Sequence, residues 1–195
     1  DYRGLPLLGP KYFLTNTTKL RKKLLTPKKI IFHAGGDCNY SKNSLIYTTA
    51  YKAAKNNNLQ TTWIYLNNSQ RKELSSMIKF DKDDELLIWQ PKNSELWSDY
   101  DLVFGPASTS LYEAIIQGVL PISFPISKTQ TSDRNTWLQI GHSLHLQREE
   151  ISNHNLITQL INTGIKHYKN LYRNMVEISG DLDGEGADRV AKIIY

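Results

Sequence analysis

Gly105-Pro106-Ala107-Ser108-Thr109-Ser110-Leu111-Tyr112-Glu113-Ala114 is the stretch that decides the fold. It follows a short apolar run, Asp101-Leu102-Val103-Phe104. It continues through Ile115-Ile116-Gln117-Gly118 into a second run, Val119-Leu120-Pro121-Ile122-Ser123-Phe124-Pro125. The order predicts a strand over 101–104, a small polar turn, a helix over 109–117 and a strand over 119–124. A turn of small hydroxyl residues at a helix start leaves backbone N–H groups without intrahelical partners and lets a ligand come close, which suits phosphate. Glu113, one turn further on, offers a carboxylate that can accept hydrogen bonds from a sugar diol. The combination points to a nucleotide-sugar site.

The same alternation extends outward from this stretch. Residues 29–34 read as a short buried strand, and Gly35-Gly36-Asp37-Cys38-Asn39 as a turn. Residues 41–55 fit a helix that ends at Asn56-Asn57-Asn58, and 61–66 form a β-rich run. Ser69 is placed to cap a helix over 70–78, and 85–89 is a further strand. A short helix from Asn93 or Ser94 to about Tyr100 precedes the deciding stretch. Beyond the polar loop at 127–133, residues 134–140 are helical, Gly141 stops that helix, and 144–146 read as a short strand. Three amphipathic segments close the chain, at 151–161, 165–178 and 186–194. Strands alternating with helices at this spacing predict an α/β, Rossmann-like three-layer domain with a mainly parallel sheet. Ligands of such sheets bind beyond the carboxyl ends of the strands. The turns at 35–37 and 105–110 both fall there.

Composition sets the bounds. The 195 residues fit one domain, or one domain and a tail. No uninterrupted apolar run approaches membrane length, so no transmembrane segment is expected. The start lacks a basic-then-apolar leader. It also lacks Met, which fits a piece of something longer. Cys38 is the sole cysteine, so no intrachain disulfide can form, and a cytoplasmic location is expected. No His pair has a convincing metal spacing and there is no Cys cluster, so neither a metal nor any other cofactor is expected. The net charge of +5 is uneven. Residues 1–29 hold eight Lys/Arg and one acid, while the remainder holds sixteen and eighteen. Residues 1–28 therefore read as a basic lead-in or interdomain linker, and 29–195 as the folded domain. Basic residues confined to a leading segment do not suit a nucleic-acid-binding face.

Several motifs, taken in order, resemble one family. Leu7-Leu8-Gly9-Pro10-Lys11-Tyr12 is similar to a segment joining the two halves of the UDP-sugar hydrolase of pseudaminic acid biosynthesis, the PseG/SpsG-like family. Ile30-Ile31-Phe32-His33-Ala34-Gly35-Gly36-Asp37 resembles the strand and turn that open its second half. Ser108-Thr109-Ser110-Leu111-Tyr112-Glu113, with Gly118 and Pro121, resembles its central signature. Thr129-Gln130 falls where the family has Asn-Gln, and Asp183-Gly184-Glu185-Gly186-Ala187-Asp188-Arg189-Val190 resembles its closing motif. The resemblance covers nearly the whole chain. It implies the C-terminal, nucleotide-binding half of a GT-B protein like those of glycosyltransferase family 28, serving surface polysaccharide or nonulosonic acid biosynthesis. The family's catalytic His belongs to a first half with no counterpart here. No catalytic residue is assigned, and a missing N-terminal Rossmann-like domain or partner subunit is expected. A non-catalytic nucleotide-binding or scaffold module is the alternative.

The nucleotide-binding residues expected on this basis are Gly35, Gly36, Trp89, Ser108, Thr109, Ser110, Glu113 and Gln130, with UDP or a UDP-sugar as ligand. Each also has a purely structural role open to it. Gly35 and Gly36 suit a tight strand-to-helix turn. Ser108, Thr109 and Ser110 suit N-capping, and Glu113 suits a helix start. Trp89 is placed either to stack on the base or to pack. Asp37, where the family has Ser, suits a cap better than a phosphate contact. Thr129 in place of Asn puts the hydrolase activity in question. His33 reads as a packed strand residue. Tyr168, Tyr172 and Met175 read as packing at helical spacing.

Overall fold

The computed structural model describes residues 9–15, 17, 26–35, 40–90, 96–127, 130 and 134–194. Five strands form one sheet: β1 (Lys29–Phe32), β2 (Gln60–Tyr65), β3 (Glu85–Ile88), β4 (Leu102–Pro106) and β5 (Leu120–Phe124). All neighbouring pairs are parallel, in the order β3-β2-β1-β4-β5. The helices are α1 (Ser44–Asn56), α2 (Asn68–Met77), α3 (Ser110–Ile116), α4 (Arg134–Gln139), α5 (His154–Lys166), α6 (Tyr168–Ile178) and α7 (Gly186–Ile194). The α/β alternation expected from the sequence is the fold observed.

Burial explains the strand order. β4 and β5 are buried along their whole length, and Ile30, Ile31 and Phe32 of β1 have no exposed surface. Such runs suit a parallel sheet covered on both faces, and β5, although it ends the strand order, has its outer side met by the Ser123–His145 bridge. β3 is half-exposed and begins at Glu85, which accepts hydrogen bonds from Gln60 and Thr62 of β2. A charged residue on a short strand suits an edge. Phe32 stacks on Trp63 with centroids 4.2 Å apart, and Tyr47 of α1 meets Phe104 and Phe124 edge-on. This aromatic layer joins the central strands to α1. Asp101 Oδ2 accepts from the backbone N–H groups of Lys28 and Lys29, at 2.7 and 3.0 Å, which fixes the start of β1 beside β4.

Several element limits differ from expectation, each for a local reason. The helix expected over 41–55 opens with a 3-10 turn at Ser41–Asn43 before α1 begins. The cap of α2 is Asn67 and not Ser69: the Asn67 side chain accepts from Gln70 N, and Gln70 Oε1 accepts from Leu66 N. Asn caps as well as Ser, and the reciprocal Gln bond selects the earlier start. Residues 144–146 make only an isolated bridge, Ser123 to His145. α5 starts at His154 because Asn153 accepts from two backbone N–H groups, and it runs on to Lys166, past the expected end. Gly141 follows α4 at φ +78, and a Cβ there would lie 2.6 Å from Met175 Cα. Only glycine fits that close approach. Tyr168, Tyr172 and Met175 are buried, as packing residues should be.

The described part of the leading segment lies against the domain. Phe13 stacks on Tyr112 at 4.8 Å, and Arg189 of α7 donates to the carbonyl of Lys11 at 3.0 Å. The same guanidinium grips both carboxylate oxygens of Asp183, whose pKa is drawn down to about 2 chiefly by that hydrogen bonding. The closing motif thus works as a clasp between α7 and residues 11–13. Gly36, Asp37, Cys38 and Thr129 lie outside the described residues.

Candidate nucleotide site

The sheet changes direction between β1 and β4. The chain runs outward from β1 through β2 to β3, then returns to build β4 and β5 on the other side. The two connections diverge at the carboxyl ends of β1 and β4 and leave a crevice there. A cavity of about 210 Å³ occupies this position. It is walled by His33, Ala34 and Gly35 after β1, Ile64 and Leu66 at the end of β2, and Trp89 after β3. Trp97 and the turn Ser108-Thr109-Ser110 complete it. Larger depressions on α2 (about 510 Å³) and around 149–155 (about 560 Å³) include no strand end.

Local structure positions each wall. Gly35 has φ +72, a conformation that suits glycine and turns the chain away from the end of β1. Trp89 is held by its N–H to Tyr65 O at 2.8 Å, and its ring lies 6.4 Å from that of Trp97. The 3-10 turn at Leu96–Asp99 seats Trp97, whose ring is buried. The hydroxyls of the turn do not cap α3. Thr109 occupies the N-cap position in helical conformation without a side-chain cap bond, and Ser108 Oγ pairs with Ser110 Oγ at 2.7 Å. Exchanging that single contact for a ligand oxygen is a small rearrangement. α3 has only seven residues, so its macrodipole adds little.

Of the eight residues expected from sequence, Gly35, Trp89, Ser108, Thr109 and Ser110 come together on this cavity. Glu113 does not line it. Its carboxylate stands behind Trp97 and accepts from Trp97 Nε1 at 3.4 Å. Burial raises its pKa, and the Trp97 hydrogen bond acts in the opposite sense. Gln130 Oε1 accepts from Ile126 N at 2.7 Å and so closes its own loop. Gly36 lies outside the described residues.

The structure adds walls that the sequence reading left out: Ile64, Leu66, Trp97 and His33. His33, Ile64 and Leu66 lie at or just past strand ends on the crevice side, where strand order was the signal that could have found them, and Trp97 comes from the 3-10 turn that precedes β4. No Lys or Arg lines the cavity among the described residues, and no group of three or more His, Cys, Asp or Glu suits a metal there or elsewhere among them. A second polar cluster lies within the core. Ser123 Oγ stands 2.7 Å from both His142 Nε2 and His145 Nδ1. Burial drives the pKa of His142 down to about 3, with the neighbouring His145 acting in the same direction.

The arrangement can hold a flat ring between indole and aliphatic walls and present hydroxyls to an oxygen-rich group. No family model matches the sequence, and no curated protein matches it. Solved structures do. The spinosyn rhamnosyltransferase SpnG aligns with a TM-score of 0.68 at 13% identity, over 88% of this chain and 46% of that one. A co-structure of S. aureus MnaA with UDP gives 0.63 at 16%, over 87% and 44%. TarM gives 0.63 at 14%, over 93% and 37%. The chain thus spans less than half the length of these proteins. Its fold is that of a GT-B glycosyltransferase domain.

Proposed function

We infer that this chain is the UDP-binding half of an enzyme that cleaves the anomeric C–O bond of a UDP-sugar. One observation carries the reading: five residues singled out from sequence for nucleotide binding line one cavity at the point where the strand order reverses. Two similar folds add support, since SpnG has a structure with thymidine diphosphate and MnaA one with UDP. The uracil would pack on Trp89, the pyrophosphate would meet residues 108–110, and the ribose would reach Glu113 past Trp97. Glu113 must release the Trp97 N–H or share it.

In the reaction, the C1–O bond breaks with its electron pair going to the departing UDP oxygen. An incoming oxygen bonds to C1 and gives up its proton to a base. Charge grows on the phosphates, where the hydroxyls of Ser108, Thr109 and Ser110 stabilise it. Water as the incoming group makes the enzyme a hydrolase of the pseudaminic acid type, and a sugar or lipid hydroxyl makes it a glycosyltransferase. The base would come from a second Rossmann-like domain or a partner subunit. Cytoplasmic nucleotide sugars in surface polysaccharide or nonulosonic acid biosynthesis are the proposed setting.

Calorimetric titration with UDP, CMP and GDP tests the reading. UDP should bind alone, and Glu113→Ala should weaken it by about tenfold, the loss of one hydrogen-bonded carboxylate. Equal weak binding of all three nucleotides would contradict it. The chain by itself should turn over no UDP-sugar, and measurable release of UDP from a UDP-sugar would place a catalytic group within these residues.

A further inference from the structure

His33 is placed differently from the other polar groups of the cavity. It is only 4% exposed, and its Nε2 is buried without a hydrogen-bond partner. A neutral imidazole carries one donor and one acceptor, and leaving either unmade inside a protein is costly. Such a group calls for a specific explanation. Its main chain is fixed on both sides: His33 N donates to Phe104 O at 3.1 Å, and its carbonyl accepts from the Tyr47 hydroxyl at 2.8 Å. Its ring meets Trp97 edge-on, with centroids 5.7 Å apart. Space for the ring comes from the neighbouring strand, because a Cβ at Gly105 would overlap Nε2. The same Cβ would come within 2.6 Å of His33 O, so glycine on β4 accommodates both the main chain and the imidazole of His33 beside the cavity.

The geometry points to His33 as a ligand-contacting residue whose ring N–H donates to a phosphate oxygen of the bound nucleotide, across from the Ser108–Ser110 turn. This deepens the nucleotide reading and rests on it. His33 is itself one of the residues lining the cavity, and it shares that lining with Gly35 and with the Ser108-Thr109-Ser110 turn proposed above to meet the pyrophosphate. Burial holds its pKa down at about 4, so the ring is neutral at pH 7. It therefore supplies a hydrogen bond and no counter-charge, in a cavity whose described walls carry no cation.

The test uses the full chain labelled at the histidine rings, with UDP and uridine as probes. The His33 ring nitrogen signals should move on saturation with UDP and stay in place with uridine. His33→Phe should weaken UDP binding by about five- to tenfold, the range for one hydrogen bond, and leave uridine unchanged. Unmoved His33 signals with unchanged UDP affinity in His33→Phe would overturn the assignment while leaving the nucleotide site standing. A wild-type chain that binds no nucleotide would remove both. Should His33→Phe fail to fold, the ring signals of the wild type decide alone.

Discussion

Gly105 and His33 form a pair in which the smaller residue makes the larger one possible. A methyl group at 105 would overlap the imidazole. Gly105→Ala should therefore destabilise the protein by about 1–3 kcal/mol, the usual cost of forced overpacking. It should also weaken nucleotide binding, because the ring must leave its place. Chemical denaturation beside a UDP titration checks both effects, and a neutral Gly105→Ala variant would show that the ring has room to spare. Trp97 has two duties, covering His33 on one side and donating to Glu113 on the other. Nothing in its local sequence announces this, because both partners arrive from distant strands and helices.

At the scale of elements, the clasp between α7 and the leading segment is the most exposed to test. Asp183 accepts from Arg189 and from Glu185 N, and Arg189 reaches on to Lys11 O. Arg189→Ala should lower stability slightly, and less so at high salt, as the loss of an exposed ion pair does. It should also speed proteolysis within residues 10–17, and unchanged cleavage there would separate the clasp from the lead-in. The depressed Asp183 pKa gives the clasp its pH sense: its contribution is present above about pH 4 and fades as pH falls toward 2. The alternation of strands and helices was legible in sequence because β1, β4 and β5 are continuous apolar runs. Helix starts were less so. Ser69 and Asn67 compete for one cap, and the winner depends on the Gln70 side chain turning back to Leu66. The 144–146 run is apolar enough for a strand but pairs only through His145. Of the cavity lining, the hydroxyl turn and Gly35 were legible because glycine and small hydroxyl residues after an apolar run mark a strand-end turn. His33 and Trp97 were not, since their places on the cavity come from how the strands and the 96–99 turn assemble.

For the whole molecule, two buried histidines should make stability fall as pH drops below about 6.5. Burial lowers His33 to about 4 and His142 to about 3, while both titrate near 6.5 when unfolded. Between those limits the unfolded chain binds more protons than the folded one. Stability is therefore full above about pH 6.5 and declines as pH falls, by up to about 1.4 kcal/mol per pH unit for each histidine. Urea midpoints measured from pH 7.5 to 4.5 should show this fall, and His33→Phe should flatten it. A fall of equal slope in His33→Phe would assign the acid sensitivity to other groups. The fold matches less than half the length of the similar solved structures, and its crevice opens where the strand order reverses. The most direct measurement is a crystal structure with uridine diphosphate. The account predicts the pyrophosphate within hydrogen-bond distance of Ser108, Thr109 or Ser110 and the uracil against Trp89. Ligand bound away from the β1–β4 crevice, with the 108–110 turn still closed on itself through the Ser108–Ser110 contact, would contradict it.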